Sequence, residues 1–536
     1  MVVLTNGNYV VDSLHWSNGT NLEVGAVTWG RGATGISGPV SAANSLVGST
    51  PIDRVGFDGV TVLANGNYVV SSEFWDNSGI PDAGAVTWGD GATGISGPVS
   101  VANSLVGSTQ YDAIGLGGAV ALTNGNYVMC SPKWDNGVIQ EAGAATWCNG
   151  TTGTSGPVST ANSLVGSTLF DSIGSGRATA LTNGNYVINS PVWNNGATAA
   201  VGAVTWGNGA TGTTGLVSVA NSLVGSSKVD LVGSLGVYPL TNGNYVVDSD
   251  GWDNGAIIDA GAVTWANGAT GTTGLVSAAN SLVGSSTFDR VGSGNIRRLA
   301  NGNYVVASEF WDNGAINSAG AVTWGNGATG TSGPVSAANS LVGSSIGDHV
   351  GEFYQGAELD GNYLSYNPVW DNGWMSDAGA ITFGLGYRPT VGLINSSNSF
   401  LGTMPYEGFR LRFAYDNANH QAVIGQLDNN IVTLFRVRGF DTCVQDDSNP
   451  NTSVAFDSQT GDYLFCAGGA QYSGTVTITR RGSTITLQHT ASDRRLTITL
   501  DTAVNRATGS FQKIGLGVFT LTDRDTRNDA CSCAAP

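Results

Sequence analysis

Short runs rich in valine, tyrosine, tryptophan and threonine alternate along the chain with Asn-Gly, Asp-Asn and glycine-rich stretches. One stretch shows the order clearly: VTVL (60–63), YVVSSEFW (68–75), GAVTWG (84–89) and a segment around NSLVG (103–107). β-Branched and aromatic runs bounded by turn residues predict strands. No run places apolar residues at helical spacing between caps, so helix is not expected. The NGN at 65–67 has the residue types of a type I′ hairpin, with positive φ at its centre. Asp-Asn-Gly does the same work between the second and third runs of most copies.

The whole pattern returns every 59 residues without a slip, seven times. Tyr9, Tyr68, Tyr127, Tyr186, Tyr245, Tyr304 and Tyr363 hold one register position, and Trp16, Trp75, Trp134, Trp193, Trp252, Trp311 and Trp370 another. A second tryptophan series runs from Trp29 to Trp324 and ends in Phe383. Four antiparallel strands per unit at this period predict an all-β chain, a β-propeller of four-stranded blades. A worn eighth copy is legible over 403–436, with His420 at the tyrosine position, Leu427 at the first tryptophan and IVTLF (431–435) at GAVTW. Eight blades are therefore expected, the partial copy and the N-terminal strand completing the last. Seven blades, with 403–436 as a bridging hairpin, is the rival. A string of separate domains is disfavoured, because 59 residues without a disulfide in each copy make a marginal domain.

At about residue 437 tryptophan vanishes, arginine and threonine rise, and segments of period two appear: TVTITR (475–480), TITLQH (484–489), RLTITLD (495–501) and VFTLTD (518–523). These predict half-buried antiparallel strands. The division is thus a propeller over 1–436, with clear repeats over 1–402, and a small β-sandwich or barrel over 437–536.

Charge narrows the partners. The formal net charge is −18, of which about −17 lies on residues 1–436. An acidic surface repels phosphate backbones, which argues against nucleic acid. No run of about 20 apolar residues is present, so no membrane-spanning helix is expected. The sequence opens inside the repeat without a secretory leader, which reads as a mature or trimmed exported chain. Cys130 and Cys148 occur together in the third copy, on the two strands flanking its Asp-Asn-Gly turn, and are expected to form a disulfide. Cys443 and Cys466 are expected to pair with Cys531 and Cys533, in an order left open. Paired cysteines imply an oxidising, extracellular setting.

The strings NGNYVV, WDNG and GAVTWGNGATGTSGPVSAANSLVGSS resemble a tandem repeat of large, exported bacterial surface proteins. The resemblance covers 1–402 closely and 403–436 faintly, and it implies an extracellular, adhesin-like setting. The C-terminal segment is similar to small disulfide-bonded β domains that end secreted bacterial proteins. Neither resemblance supplies catalytic residues.

Few positions carry candidate chemistry. Asp53, Asp112, Asp171, Asp230, Asp289 and Asp348 recur once per copy, with Glu407 in the last. A carboxylate there is either a calcium ligand or an acceptor for turn N–H groups, and the turn role is expected because no DxDxDG loop is present. Asp76, Asp135, Asp253, Asp312 and Asp371 alternate with Ser17 and Asn194, as a hydrogen-bonding turn residue would. The aromatic series is expected to fill the core, and Trp374, without counterpart in other copies, is the exposed binding candidate. His15, His349, His420 and His489 share no register position, which disfavours a histidine metal ring. No nucleophile elbow or phosphate loop is present. The expected function is a non-enzymatic extracellular structural or adhesive protein, self-assembling or contacting other surface proteins, and needing no cofactor. A lectin-like multivalent glycan binder is the alternative, and a single-site glycan-active enzyme comes third.

Overall fold

The computed structural model describes residues 1–352, 361–416, 421–427 and 431–436, and beyond these the strands between 442 and 522. It divides into two compact units: residues 1–298, 304–321 and 325–336, and residues 299–303, 322–324 and 337–536. Among the described residues there is no α-helix, and hence none long and apolar enough to cross a membrane.

In the first unit the expected strands form, with one addition. The second copy pairs Val60–Val62, Tyr68–Ser72, Ala85–Gly89 and Ser104–Val106 antiparallel in that order. A fifth strand, Gly156–Pro157, comes from the third copy and runs parallel to Ser104–Val106. Copies one, three, four and five repeat this arrangement. The sheets are therefore five-stranded rather than four-stranded, and each outer edge is occupied by the next copy. This loan covers an edge that would otherwise expose unpaired backbone groups. Among the described residues no sheet closes into a barrel.

The pleat explains the aromatic register. Tyr68 lies opposite Gly89, and Val70 opposite Thr87, on one face; Val69 opposite Trp88, and Val86 opposite Leu105, fall on the other. Sheets stack so that the valine–leucine face of one copy meets the tyrosine face of the next. Leu4, Val10, Val27 and Leu46 of copy one pack with Tyr68, Val70, Trp75 and Val106 of copy two. Leu63, Val69, Val86 and Leu105 then pack with Tyr127, Met129, Trp134 and Val165. Each such buried side chain contributes about 1.5–3 kcal/mol. Between the two faces the Thr87 and Ser104 hydroxyls pair at 2.7 Å, so these buried polar groups are satisfied. The indole N–H of Trp75, by contrast, is buried without a protein acceptor, as are its equivalents Trp134, Trp193 and Trp252.

The first hairpin differs from the expected type I′ turn. Gly66 donates its N–H to the Leu63 carbonyl at 3.0 Å, and Gly66 alone of the turn residues has positive φ, at 90°. That is a type I turn followed by a glycine bulge. A negative φ at Asn65 leaves its side chain free to reach the neighbouring copy.

In the second unit Tyr363–Asn367, Ala380–Gly384 and Ser399–Leu401 form a three-stranded sheet. Its valine–leucine face, here Leu364 and Ile381, is covered by Leu411 and Ile424 of a second antiparallel sheet, Leu411–Asp416, Gln421–Gln426 and Ile431–Arg436. These strands fall where the sequence suggested a worn eighth copy, but Leu427 is 53% exposed and does not take the buried tryptophan place. His420 lies outside the described residues. Four strands within 442–475 and five within 477–522 form two further antiparallel sheets, in line with the alternating segments read from sequence.

Candidate functional site

Two devices tie each copy to the next, and they set the edge on which the exposed chemistry sits. In the first, Asn65 Nδ2, Asn67 Nδ2 and Trp88 Nε1 of copy two all donate to the Gly150 carbonyl oxygen of copy three, at 2.8, 2.9 and 2.9 Å. Asn67 Oδ1 meanwhile accepts the N–H of Gly91 in its own copy at 3.0 Å. The same trio of donors reaches Gly91, Gly209, Gly268 and Gly327 from copies one, three, four and five. A Cβ at Gly150 would run into the Gly125 carbonyl, which is why the receiving residue is glycine.

The second device is the aspartate series. Asp112 Oδ2 accepts the N–H groups of Ser108 and Thr109 at 2.7 and 2.8 Å. Its Oδ1 accepts the Thr109 hydroxyl and the N–H of Asp135 in the next copy, the latter at 2.9 Å. Asp53, Asp171, Asp230, Asp289 and Asp348 make the equivalent contacts to their own turn and to the following hairpin. Burial pushes the Asp112 carboxyl up from its ordinary range, and these donors pull it down. A cation at these positions would have to displace hydrogen donors on every side. Among the described residues no group of three His, Cys, Asp or Glu side chains is placed to hold a metal. Asp135 in turn accepts the Glu141 N–H at 2.8 Å, and Asn194 does the same for Ala200, the turn role read from their interchange.

Between these anchors lies a feature that sequence reasoning missed. The residue before each aspartate is Ile52, Tyr111, Phe170, Val229, Phe288 and, before Glu407, Tyr406. All six have left-handed backbone, with φ between 61° and 69°, and all are half or more exposed. A β-branched or aromatic residue in that region is strained. In copy six the position is Gly347, and the bulky apolar side chain moves one residue earlier, to Ile346, 72% exposed. The signal in the sequence was an apolar residue beside each aspartate, which burial would have explained equally well.

The backbone of this turn is bonded to the hairpin between the second and third strands: Tyr111 N–H to Pro81 O at 3.1 Å, Phe288 to Ile258 and Tyr406 to Ser376. Hairpin tip and turn therefore share an edge. Val138 stands at one tip, 97% exposed, and Trp374 at another, 83% exposed. Trp374 stands two residues before Ser376, whose carbonyl accepts the Tyr406 N–H. Carboxylates flank the apolar residues, with Glu23 paired to Arg54 at 2.6 Å and Asp259 to Arg290 at 3.4 Å.

The expected Cys130–Cys148 disulfide is absent, and both thiols are free and buried. Cys130 lies opposite Ala145 and Cys148 opposite Tyr127, three positions apart along the ladder and on opposite faces. The reading from sequence identified the right two strands but not the register. Cys148 occupies the glycine position under the tyrosine ring, and burial pushes its thiol up to about 12, as it does Cys130. The pairing of Cys443, Cys466, Cys531 and Cys533 lies outside the described residues.

Among the described residues, one buried carboxyl stands apart. Asp248, fully buried, has no hydrogen bond of good geometry at either oxygen, and burial pushes it well above the carboxylate range, with Asp250 adding to the effect and the Ser249 backbone N–H opposing it. The same strand position holds Asn189 in copy four, whose Nδ2 donates to the Gly233 carbonyl at 2.8 Å.

No curated protein matches the chain. Among solved structures it is similar to the extracellular domain of the putative one component system BT4673 from B. thetaiotaomicron, at 9% identity over 97% of this chain and 69% of that one. The TM-score is 0.22, too low for that likeness to bear on fold or function. The repeats themselves are matched by a family model over residues 3–57, 62–116, 121–175, 180–234, 239–293, 298–352 and 358–409, and the chain belongs to that family, a repeat of unknown function (DUF5650).

Proposed function

We propose that the chain is an extracellular structural or adhesive repeat protein whose turn-and-hairpin edge makes many weak contacts at once. The observation that supports this is the exposed apolar side chain held in left-handed backbone copy after copy. The turn needs none of these side chains, as Gly347 demonstrates, yet Ile346 restores the apolar group there. Weak contacts repeated on a rigid frame gain affinity through effective concentration rather than through one strong site. The reading assigns no catalysis, no metal and no cofactor to the chain.

Within the first unit the successive sheets read as propeller-type blades. In the first unit the first strands of successive sheets approach one another, while outer strands are separated by the inserted Gly-Pro strand. That wedge is the geometry of blades about an axis.

Adsorption of the purified chain to apolar and to glycan-bearing surfaces, with electron microscopy of concentrated material, tests the proposal. Binding to apolar surfaces that falls when Tyr111, Phe170 and Phe288 become glycine supports it. Chains that ignore apolar surfaces but bind a defined sugar through Trp374 and its flanking carboxylates would replace it with the lectin reading.

A further inference from the structure

We infer that Asn195 is a self-modifying site: the Gly196 backbone nitrogen attacks its carboxamide and converts it, through a succinimide, to aspartate and isoaspartate. The chain holds sixteen Asn-Gly pairs, and glycine, lacking a Cβ, leaves its nitrogen open to this reaction. The fold ties most of the pairs down. In the first hairpin Asn65 Nδ2 is held by the Gly150 carbonyl at 2.8 Å, and the Gly66 N–H by the Leu63 carbonyl at 3.0 Å. The five other copies of this hairpin with Asn-Gly hold the side-chain amide in the same way. In the glycine-rich loop Asn208 Oδ1 accepts the N–H groups of Ala210 and Thr211, and the Gly209 N–H donates to Asn185 Oδ1 at 3.0 Å. Electrophile and nucleophile are both engaged at these places.

The tip between the second and third strands has a looser lock. Asn136, Asn254 and Asn372 donate Nδ2 to the carbonyls of Gly166, Gly284 and Gly402 at 3.1, 3.1 and 2.9 Å. Asn195 makes no such bond to Gly225, its counterpart acceptor. Its carboxamide and the Gly196 N–H have no hydrogen-bond partner among the described residues, and both residues are exposed, whereas Asn136, Asn254 and Asn372 are half-buried. The aspartate that precedes those three is here Asn194, whose Nδ2 turns to Thr168, Leu169 and Asp171. Asn18, which follows Ser17 rather than aspartate, is exposed and without a side-chain bond in the same way. The chemistry needs only water. As the Gly196 nitrogen gives up its proton it bonds to Asn195 Cγ, the Cγ–Nδ2 bond breaks, and Nδ2 leaves with its electron pair and a proton as ammonia. Water then opens the ring at either carbonyl, giving aspartate or, with the main chain rerouted through the side chain, isoaspartate. Either product adds a negative charge. Isoaspartate also adds a carbon to the main chain between Asn195 and Thr198, whose backbones exchange bonds at 3.0 and 3.1 Å. The Ala199 carbonyl beside them accepts the Val229 N–H at 3.1 Å, so the change falls next to a left-handed apolar turn.

The test uses the full, unsubstituted chain, incubated at mildly alkaline pH with and without denaturant. Peptide mapping by mass spectrometry follows the amide-to-acid change, and enzymatic methylation of isoaspartate gives a second readout. Asn254 is the matched control, because Gly-Ala follows both residues. In the native chain the Asn195 peptide should convert about five- to tenfold faster than the Asn254 peptide, the factor carried by one hydrogen bond on the carboxamide. In denaturant the two should convert at equal rates. Equal rates in the native chain, or a faster Asn254, overturn the proposal. So does the same excess at Asn195 in denaturant, since the neighbouring sequence rather than the fold would then select the site. Aspartate formed without isoaspartate would remove the succinimide route. None of these outcomes depends on the adhesive reading, because masses are compared and no binding is measured.

Discussion

The indole N–H of Trp88 donates to the carbonyl oxygen of Gly150, sixty-two residues away, at 2.9 Å. The contact crosses from one repeat to the next, and it accounts for the second tryptophan series better than burial does, since these rings are only partly buried. Trp88→Phe keeps the ring and removes the donor, leaving Asn65 and Asn67 on the same oxygen. We expect a loss of about 1 kcal/mol, read as a lowered urea midpoint with an unchanged slope. No change would mean that the tryptophan contributes only packing.

This contact also marks what the sequence disclosed and what it withheld. The period, the strands and their order were legible because apolar runs and turn residues recur in fixed register. The fifth strand was not, because Gly156-Pro157 has no strand propensity and pairs only where a neighbour offers an edge. The turn role of Asp112 was legible from its neighbours, whereas its grip on the next copy depends on stacking. Cys130 and Cys148 misled because adjacent strands do not imply facing residues: an offset of three positions places them on opposite faces.

Asp112→Ala should strand the N–H groups of Ser108, Thr109 and Asp135 at once. A loss of about 3 kcal/mol is expected, and Asp112→Asn should recover part of it through its remaining acceptor. Because the carboxylate is met by donors, a chelator should not shift the melting temperature of the unsubstituted chain. A chelator-induced drop would restore the calcium reading.

Cys130 and Cys148 should behave as inert thiols. Burial and the raised thiol values leave little thiolate at neutral pH. Under non-reducing conditions two thiols should therefore escape a thiol reagent in the native chain and react on denaturation. If peptide mapping finds these two joined, the register reported for this sheet is wrong.

Asp248 should make the chain less stable as pH rises. Its folded value lies well above the unfolded value of about 3.9. The protonated form is therefore the one that the fold favours, and its contribution is fully present below pH of about 4. As pH climbs above that value the unfolded chain gains by ionising while the buried carboxyl does not, so stability falls until the folded value is passed. Asp12, pushed up to about 6, adds a smaller fall of the same sign over a window that closes near pH 6. Asp248→Asn should behave like Asn189 and donate to a neighbouring carbonyl. It should stabilise the chain by about 1–3 kcal/mol at neutral pH and by little near pH 4. An equal effect at both pH values would show that the aspartate is not protonated in the fold.

The left-handed apolar residues set stability against function. Ile52 and Val229 are β-branched at φ of 69°, a conformation that costs a non-glycine residue about 1–3 kcal/mol. Glycine removes that strain but gives back about 0.5–1 kcal/mol through its freer unfolded chain. Ile52→Gly and Val229→Gly should therefore each raise stability slightly or leave it unchanged, although each deletes a large side chain. The same pair should weaken adsorption to apolar surfaces, and more than additively, because each loss lowers the effective concentration of the remaining contacts. Denaturant titration and surface binding on the same preparations separate the two effects. A variant that loses stability while binding unchanged would mean that these side chains pack against something within the chain, and the edge would no longer be a candidate site.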